Sequence, residues 1–157
     1  MIKVLFVCLG NICRSPMAEA VFRNLVKNEG LEDKIMVDSA GTGDWHAGNH
    51  PHDGTLKILK NYDISAENLF ARQITSADFL NFDYIVVMDD NNMDDVLEFG
   101  SITGRNHIGK LCDYIPNATY DNVPDPYYTG DFNETYELVT AGCKGLMRLI
   151  KEEQDGI

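Results

Sequence analysis

The sequence has little positive charge and no long hydrophobic run, and both absences narrow the function classes open to it. Its 13 Lys and Arg residues face 25 Asp and Glu residues, and this net charge of −12 argues against binding to nucleic acid or an anionic membrane surface. No apolar run reaches the roughly 18 residues of a membrane-spanning helix. The N-terminus leads directly into a strand-like segment and not into a signal-peptide core. We therefore expect a cytoplasmic protein that binds neither nucleic acid nor membrane.

Cysteine is also scarce, and no pair has the CxxC spacing that is typical of a zinc site. In a reducing compartment all the cysteines are expected to be free thiols. They are Cys8, Cys13, Cys112 and Cys143. Three histidines near two aspartates resemble a set of metal ligands: His46, His50 and His52, with Asp44 and Asp53. Because such spacing is more often that of a polar surface loop, we assign no metal and no cofactor.

The length and composition predict a single α/β domain over residues 1–157. The chain is 44% hydrophobic and 24% charged, and it contains no repeat, low-complexity run or linker. Strand-like segments alternate with segments of helical periodicity, which is typical of an open parallel sheet. The predicted strands cover residues 2–7, 35–37, 84–88 and 107–112, and loops are expected at 39–43 and 113–130. The predicted helices cover residues 16–28, 51–62, 91–99 and 132–152, with a short one opened by a capping box at 75–78.

Some of these elements carry finer predictions. Ser15 is predicted to be the N-cap of the first helix, with Pro16 at the first helical position. The 91–99 helix is predicted to turn three apolar residues inward: Met93, Val96 and Leu97. In the last helix an apolar stripe is expected to outweigh the cost of Gly142 and Gly145. The stripe consists of Val139, Cys143, Leu146, Met147 and Ile150.

The loop after the first strand is the candidate site, because ligands of open α/β sheets bind at the carboxyl ends of the strands. Cys8 opens this loop and Arg14 closes it six residues later, directly before a helix. The spacing lets the backbone curl around a tetrahedral oxyanion, with its amides and the helix N-terminus pointing inward. Gly10 and Asn11 are residue types that tolerate the positive φ of such a curl.

Arg14 and Cys8 have distinct predicted roles in this loop. A guanidinium grips two phosphate oxygens at once, which a lysine cannot do. Amide dipoles and a guanidinium favour the thiolate form of a cysteine, so Cys8 is predicted to be a nucleophile. The alternative for Cys8, a small core residue, leaves the Gly, Asn, Arg and Ser-Pro of the loop unexplained. The loop fits neither a nucleoside-triphosphate site, which needs Gly-Lys-Ser/Thr, nor a dinucleotide site, which needs GxGxxG.

Residues 4–20, Val-Leu-Phe-Val-Cys-Leu-Gly-Asn-Ile-Cys-Arg-Ser-Pro-Met-Ala-Glu-Ala, resemble the signature of the low-molecular-weight protein tyrosine phosphatases. The resemblance continues through further motifs at 37–40, 71–74, 82–85, 88–89 and 125–128, and so covers most of the chain. It implies a four-stranded parallel sheet flanked by helices on both faces, with a phosphate-binding loop after the first strand. It also implies that Cys8 forms a phosphocysteine, that Arg14 clamps the phosphate and that Asp125 is the general acid.

Asp125 has a second argument from its own surroundings. An acid near the leaving oxygen assists the expulsion of a phenoxide, and such assistance contributes roughly 10²- to 10⁴-fold. Pro124 and Pro126 restrict Asp125 to extended geometry, which aims its side chain across the pocket. The alternative is a solvated loop aspartate, but the neighbouring Tyr127 and Tyr128 and the family resemblance favour the acid.

Aromatic side chains near this loop predict a substrate with a phenyl ring. Tyr127 and Tyr128 are expected to sandwich the ring together with Trp45. Trp45 has an alternative role as a partly buried anchor of its own loop. The remaining predicted substrate-binding residues belong to the phosphate loop: Leu9, Gly10, Asn11, Ile12, Cys13 and Ser15.

Four further residues bear on how this loop works. Ser15 is expected to hydrogen-bond the sulfur and assist its departure, and Asn11 is expected to brace the loop through its side chain. The family often places a histidine that supports this asparagine where the present sequence has Leu69. Cys13 is the predicted redox partner of the nucleophile, because a curled loop brings the second sulfur near the first.

The expected partners are phosphotyrosine proteins or peptides and inorganic phosphate or similar oxyanions, with the chain a monomer. An arsenate reductase of the same fold needs cysteines that shuttle a disulfide, whereas Cys112 and Cys143 are far apart in sequence. Protein-arginine phosphatases resemble this loop but carry threonine where Ile12 stands. A catalytically idle phosphotyrosine-binding module would have lost its nucleophile or its acid, yet Cys8 and Asp125 are both present.

Overall fold

The computed structural model describes residues 1–100 and 106–154 of the chain. They form one sheet of four parallel strands in the spatial order β2-β1-β3-β4, which confirms the predicted fold. The strands are β1 (Ile2–Cys8), β2 (Ile35–Gly41), β3 (Tyr84–Val87) and β4 (His107–Lys110). The helices are α1 (Arg14–Asn28), α2 (Asp53–Asn61), α3 (Asp78–Asn81), α4 (Asp90–Phe99), α5 (Pro126–Thr129) and α6 (Phe132–Glu153), and a 3₁₀ turn covers Leu111–Tyr114.

The strand β1 is buried on both faces and lies between β2 and β3. Val4 and Phe6 pack with α1 and α6 in one apolar cluster. Leu5 and Val7 pack with α3 and α4 in a second cluster on the opposite face. Helices therefore cover both faces of the sheet, which explains why this strand has an unbroken apolar sequence and no alternation.

The long helix α6 packs against α1 and the 3₁₀ turn, and the predicted apolar stripe on it is buried. Its two internal glycines lie where this turn approaches most closely. A Cβ on Gly142 would collide with the side chain of Leu111, and a Cβ on Gly145 would collide with the carbonyl group of Tyr114. The close approach therefore requires glycine at both positions, whatever helical propensity it costs.

The start of α1 differs from the prediction. Ser15 is not the N-cap, because the helix begins at Arg14 and Cys13 occupies the cap position without a side-chain hydrogen bond. Pro16 is the third helical residue, where an N–H group has no partner within the helix in any case. Because Ser15 lies inside the helix and not at its cap, its hydroxyl is free to contact Sγ of Cys8, at 3.0 Å.

Strand β2 continues to Gly41, through part of the predicted loop at 39–43. It pairs in register with the whole of β1, from Ile2 opposite Ile35 to Cys8 opposite Gly41. A short strand pattern could not show this extension, because it depends on the neighbouring strand. The pairing brings the end of β2 beside the start of the candidate loop.

Two helical predictions need correction. The short helix α3 begins at Asp78, three residues after the predicted cap, and the carboxylate of Asp78 accepts a hydrogen bond from the N–H of Thr75 at 2.8 Å. On α4, Val96 is buried and Met93 is partly buried as predicted. Leu97 is 43% exposed, so the prediction that it faces the core was wrong.

Two strands are shorter than predicted, and one predicted loop contains a helix. Strand β3 ends at Val87, and β4 ends at Lys110 because Leu111 starts the 3₁₀ turn. The predicted loop at 113–130 contains the helix α5. No helix within residues 1–100 and 106–154 is both long and apolar enough to cross a membrane.

Candidate active site

The loop at residues 8–14 joins the carboxyl end of β1 to the start of α1. Asn11 adopts the predicted left-handed conformation, with a φ of 57°. Gly10 does not have a positive φ, so that part of the prediction was wrong. Its missing side chain makes room for a neighbour instead, because a Cβ on Gly10 would lie 3.1 Å from Cδ2 of His46.

A further glycine, which the sequence pattern did not single out, lets this loop approach the sheet. A Cβ on Gly41, the last residue of β2, would lie 2.8 Å from the carbonyl oxygen of Leu9. The next residue, Thr42, donates its N–H to the carbonyl oxygen of Cys8 at 2.9 Å. The end of β2 therefore supports the first residues of the loop.

Cys8 lies at the base of the loop with 3% of its surface exposed. Its Sγ accepts a hydrogen bond from the N–H of Asn11 at 3.3 Å and lies 3.0 Å from Oγ of Ser15. The other acceptor near this hydroxyl, the carbonyl oxygen of Ala40, is farther away at 3.4 Å. A thiolate at Cys8 therefore receives hydrogen bonds from both Asn11 and Ser15, in surroundings where bulk water screens them little.

Arg14 is 2% exposed, and its guanidinium is held in place by a carboxylate and a backbone carbonyl from two distant parts of the chain. Nη1 donates to Oδ2 of Asp89 at 2.6 Å and to the carbonyl oxygen of Val123 at 2.9 Å. Burial alone would lower the pKa of Arg14, but the negative charges of Cys8, Asp89 and Asp125 raise it above its ordinary value. The guanidinium therefore stays charged in the pocket. The sequence did not predict that Arg14 pairs with Asp89, although Asp89 belongs to the Met-Asp motif at 88–89 that the family resemblance includes.

Asp125 uses its two carboxylate oxygens for different contacts. Oδ1 accepts the N–H of Tyr127 at 3.0 Å as the N-cap of α5, and Oδ2 lies 3.5 Å from Nη2 of Arg14. The backbone of Asp125 is extended, with φ of −82° and ψ of 111°, as its flanking prolines predict. Its side chain is 21% exposed, so the carboxyl group borders both the guanidinium and the solvent.

These groups surround one pocket of about 250 Å³. Its walls include the three predicted aromatics, of which Trp45 is 69%, Tyr127 56% and Tyr128 77% exposed. The Trp45 ring also lies over Gly43 of its own loop, where a Cβ would collide with it, so it is mostly exposed but still packed on that loop. The lining residues are Cys8, Leu9, Gly10, Ile12, Cys13, Arg14, Trp45, His46, Asp125, Tyr127 and Tyr128. Asn11 and Ser15, which are also predicted to bind substrate, are not among these lining residues, and both contact the sulfur of Cys8.

The side chain of Asn11 braces the loop as expected, with partners that the sequence did not identify. Nδ2 donates to Oγ of Ser15 at 2.7 Å and to Oγ of Ser39 at 3.0 Å. Oδ1 accepts the backbone N–H of Arg72 at 3.0 Å. Leu69, at the position where the family often has a histidine, is buried in the core. Asn11 thus has a full set of partners without an imidazole.

The network continues from Ser39 to a buried carboxyl group. Oγ of Ser39 donates to Oε1 of Glu19 at 2.6 Å. Glu19 is 6% exposed, and its ion-pair partner Arg23 lies at 3.7 Å. Burial, helped by the negative charge of Asp38, raises the pKa of Glu19 to about 7. Glu19 appears in the signature sequence, but only the pairing of β1 with β2 shows that it reaches the loop.

All four cysteines are free, as expected, and only Cys8 and Cys13 line the pocket. Burial, together with the negative charges of Cys8 and Asp125, raises the pKa of Cys13 to about 12. Cys13 therefore remains a neutral thiol at ordinary pH, which makes it a poor candidate for a nucleophile.

The three histidines considered as metal ligands contact different parts of the molecule. His46 lines the pocket, and His50 packs against Phe70 with ring centroids 5.3 Å apart. His52 stacks on Phe132 at 5.1 Å. Within residues 1–100 and 106–154 no three His, Cys, Asp or Glu side chains converge as metal ligands.

Comparison with known proteins places this geometry among phosphatases. Residues 3–155 match the family model of the low molecular weight phosphotyrosine protein phosphatases. The chain is 49% identical to the low molecular weight protein-tyrosine-phosphatase YfkJ of Bacillus subtilis, over 98% of this chain and 99% of that protein. The crystal structure of YfkJ matches with a TM-score of 0.95, over 99% and 98% of the two chains. The low molecular weight protein-tyrosine-phosphatase PtpA of Staphylococcus aureus is 41% identical, over 98% and 96%.

This chain is also similar to a solved structure of a phosphatase that is named for arginine and not for tyrosine. It is described as DARP, a Drosophila arginine phosphatase, and it is 34% identical with a TM-score of 0.88 over 98% of this chain and all of that one. The fold alone therefore does not distinguish phosphotyrosine from phosphoarginine.

Proposed function

This chain belongs to the low molecular weight phosphotyrosine protein phosphatase family, whose members hydrolyse phosphomonoesters, and we propose that it dephosphorylates phosphotyrosine in proteins, and small aryl phosphates, through a phosphocysteine on Cys8. One observation carries the proposal. The sulfur of Cys8, the guanidinium of Arg14 and the carboxyl of Asp125 all border one pocket whose outer walls are aromatic.

In the first step Cys8 and Asp125 act on opposite ends of the bond that breaks. The thiolate attacks phosphorus, an S–P bond forms, and the bond from phosphorus to the aryl oxygen breaks. Asp125, protonated at this stage, gives its proton to the departing oxygen so that a neutral phenol leaves. Arg14 contributes two donors to the equatorial oxygens, where negative charge is concentrated during transfer.

In the second step the phosphocysteine is hydrolysed. Asp125, now a carboxylate, takes a proton from a water molecule, whose oxygen attacks phosphorus while the S–P bond breaks. Inorganic phosphate and the thiolate of Cys8 are the products. The hydroxyl of Ser15, 3.0 Å from Sγ, and the N–H of Asn11 stabilise the negative charge that returns to sulfur.

The aromatic walls support phosphotyrosine over phosphoarginine. Trp45, Tyr127 and Tyr128 offer ring faces and edges to a planar aryl group. Their exposure leaves the pocket open enough for a side chain carried by a protein. Ile12 lines the same pocket and gives it an apolar surface where the arginine phosphatases resembling this loop have threonine. These features favour an apolar ring over a charged guanidinium as the leaving group.

An arsenate reductase and an idle binding module both fit this site less well. Cys112 and Cys143 are buried in the core and lie outside the pocket lining, so disulfide shuttling to the surface, as in an arsenate reductase, has no route through them. A binding module without turnover does not need both the buried sulfur and the carboxyl of Asp125. We also propose that the protein acts as a monomer in the cytoplasm, where free thiols persist.

The test compares substrates and traps the intermediate. Purified protein should hydrolyse p-nitrophenyl phosphate and phosphotyrosine peptides, with phosphoarginine hydrolysis and arsenate reduction as controls. Rapid acid quenching followed by mass spectrometry should show phosphate on the peptide that contains Cys8. Faster turnover of phosphoarginine than of phosphotyrosine, or phosphate on any other residue, would contradict the proposal.

A further inference from the structure

His52 is held against the 8–14 loop by its backbone. Its N–H donates to the carbonyl oxygen of Ile12 at 2.7 Å, and Ile12 lines the pocket. A residue anchored in this way keeps a fixed position relative to the loop that surrounds the phosphate. His52 lies immediately before α2, outside that loop.

The imidazole ring is fixed as firmly as the backbone. Nδ1 accepts the N–H of Gly54 at 3.0 Å and so caps α2, which places the ring proton on Nε2 when the imidazole is neutral. One ring face stacks on Phe132, with centroids 5.1 Å apart and planes 21° apart. Phe132 itself packs against Ile12, Cys13 and Ala71. The ring is therefore locked between the helix start and the back of the loop.

The same ring meets one wall of the pocket. The ring centroids of His52 and Tyr127 are 6.1 Å apart with planes at 79°, an edge-to-face contact. The other ring against Tyr127 is Tyr128, at 5.4 Å, and Tyr128 is 77% exposed. Of the two neighbours, His52 is thus the one with a fixed position. The N–H of Tyr127 is also the group that Asp125 accepts, so the position of this wall and that of the acid are linked.

We propose that His52 is a positioning residue that holds Tyr127 in the aromatic wall and thereby favours aryl over non-aromatic phosphates. The inference rests on the proposed function, since it assigns Tyr127 to the binding of the aryl group. His52 is not among the residues that line the pocket, and its contact with the phosphate loop is a backbone hydrogen bond that a side-chain substitution leaves in place. The effect of its ring is therefore confined to ligands that carry a ring. A purely structural role, as cap of α2, predicts no such selectivity.

Two substitutions separate the ring from the cap. His52→Asn keeps a side-chain acceptor for the N–H of Gly54, because asparagine is a favoured N-cap residue, but it removes the ring. His52→Phe keeps a ring that can stack on Phe132 and meet Tyr127, but it removes the acceptor. The matched control is His50→Asn, the same change at an exposed histidine that packs on Phe70 away from the pocket lining.

The readout is competitive inhibition of p-nitrophenyl phosphate hydrolysis by phenylphosphonate and by inorganic phosphate. Inhibition constants do not depend on the fraction of folded enzyme, so a loss of stability does not imitate the effect. In His52→Asn, phenylphosphonate should bind about three- to tenfold more weakly, the range expected for losing one aromatic contact, with phosphate binding unchanged. His52→Phe and His50→Asn should retain the wild-type ratio of the two constants.

A double variant tests whether the effect passes through Tyr127. Tyr127→Ala should weaken phenylphosphonate by itself, and adding His52→Asn should weaken it no further. The proposal is overturned if His52→Asn weakens both inhibitors equally, if His52→Phe loses selectivity, or if the two changes add fully. Failure of the wild-type protein to hydrolyse aryl phosphates would instead overturn the proposed function.

Discussion

Asp89 and Arg14 form a partly buried ion pair that joins the start of α4 to the start of α1. Oδ2 of Asp89 accepts from Nη1 of Arg14 at 2.6 Å, while Oδ1 caps α4 by accepting the N–H of Asn92 at 2.7 Å. Each oxygen has one task, so an amide at this position cannot perform both. The ion pair holds Nη1 of the guanidinium in place, while Nη2 faces Asp125.

Asp89→Asn is expected to weaken catalysis without touching any group that reacts. Asparagine has a single side-chain oxygen, so either the cap or the contact to Arg14 is lost. Loss of a hydrogen bond to a charged group predicts that kcat/KM for phenyl phosphate falls roughly 10- to 100-fold. Steady-state kinetics measures this. Asp90→Asn, the same change at the next residue, removes an exposed pair with Lys110 and should leave kcat/KM within error of wild type.

Cys8→Ser should abolish turnover while phosphate still binds. A serine hydroxyl is a poor nucleophile without an adjacent base, so we expect a loss of about 10³-fold or more in kcat. The loop amides and Arg14 remain, so calorimetry should detect phosphate binding close to that of wild type. Cys112→Ser, outside the pocket lining, is the control. Hydrolysis by Cys8→Ser within tenfold of wild type would exclude the covalent route.

Asp125→Asn should slow hydrolysis most for the poorest leaving groups. The variant keeps an oxygen that accepts the N–H of Tyr127 but has no proton to donate, so the cap of α5 survives and the acid does not. The rate of phosphorylation should fall roughly 10²- to 10⁴-fold for phenyl phosphate and much less for nitrophenyl phosphate.

The measurement is single-turnover phosphorylation across substituted phenyl phosphates, with phosphate affinity as a second readout. Wild type should depend little on the leaving group and the variant steeply. Asp121→Asn, in the same loop, is the matched control. Equal dependence in wild type and Asp125→Asn would remove Asp125 from the mechanism and make Asp121 the next candidate.

Mild peroxide should link Cys8 to Cys13. The thiolate of Cys8 is oxidised to a sulfenic acid, and the sulfur of Cys13 then displaces water to form a disulfide. Because burial raises the pKa of Cys13 to about 12, this second step should accelerate as the pH rises from 6 to 9. Mass spectrometry should find the linked peptides, and a thiol reductant should restore activity. Cys13→Ser should instead lose activity irreversibly, and irreversible loss in wild type would count against Cys13.

Glu19 should make the protein less stable as the pH rises. Its pKa is about 7 in the folded chain against an ordinary 4.5, so the folded state binds more protons between these values and the free energy of unfolding falls with pH. The full effect is about 3 kcal/mol by pH 8. Glu19→Gln should remove it, so that the variant gains stability over wild type between pH 4.5 and 8. Urea unfolding at both pH values tests this, with the exposed Glu67→Gln as control.

The parts of the site that lie in one stretch of sequence were predictable. Cys8, Asn11 and Arg14 stand at a spacing that itself defines an oxyanion loop, and the prolines around Asp125 define its backbone. What could not be predicted depends on which strands become neighbours. Asp89 contacts Arg14, 75 positions away in the sequence, because β1 pairs with β3. The local sequence of neither segment indicates which strands become neighbours.

Ser39 illustrates the same limit from a wrong prediction. Placed in a loop by its local sequence, it belongs to β2, where the register with β1 aims its hydroxyl between Asn11 and Glu19. Ser15 was predicted to be the N-cap because its residue type is common there. The helix starts earlier, at Arg14, and the hydroxyl of Ser15 contacts the sulfur of Cys8. In both cases a tertiary contact outweighed a local preference.

Cys8 and Asp125, the proposed nucleophile and the proposed acid, stand on parts of the chain that we expect to open with different ease. Cys8 ends the strand at the middle of the sheet, so its amide should exchange with solvent only when much of the sheet comes apart. Asp125 stands in the 113–130 segment, where most residues are exposed and the one helix has four residues. We therefore expect local openings of this segment to displace Asp125 while Cys8 stays in place. Under the proposed mechanism, a phosphocysteine would then be hydrolysed only during the fraction of time in which Asp125 is in position.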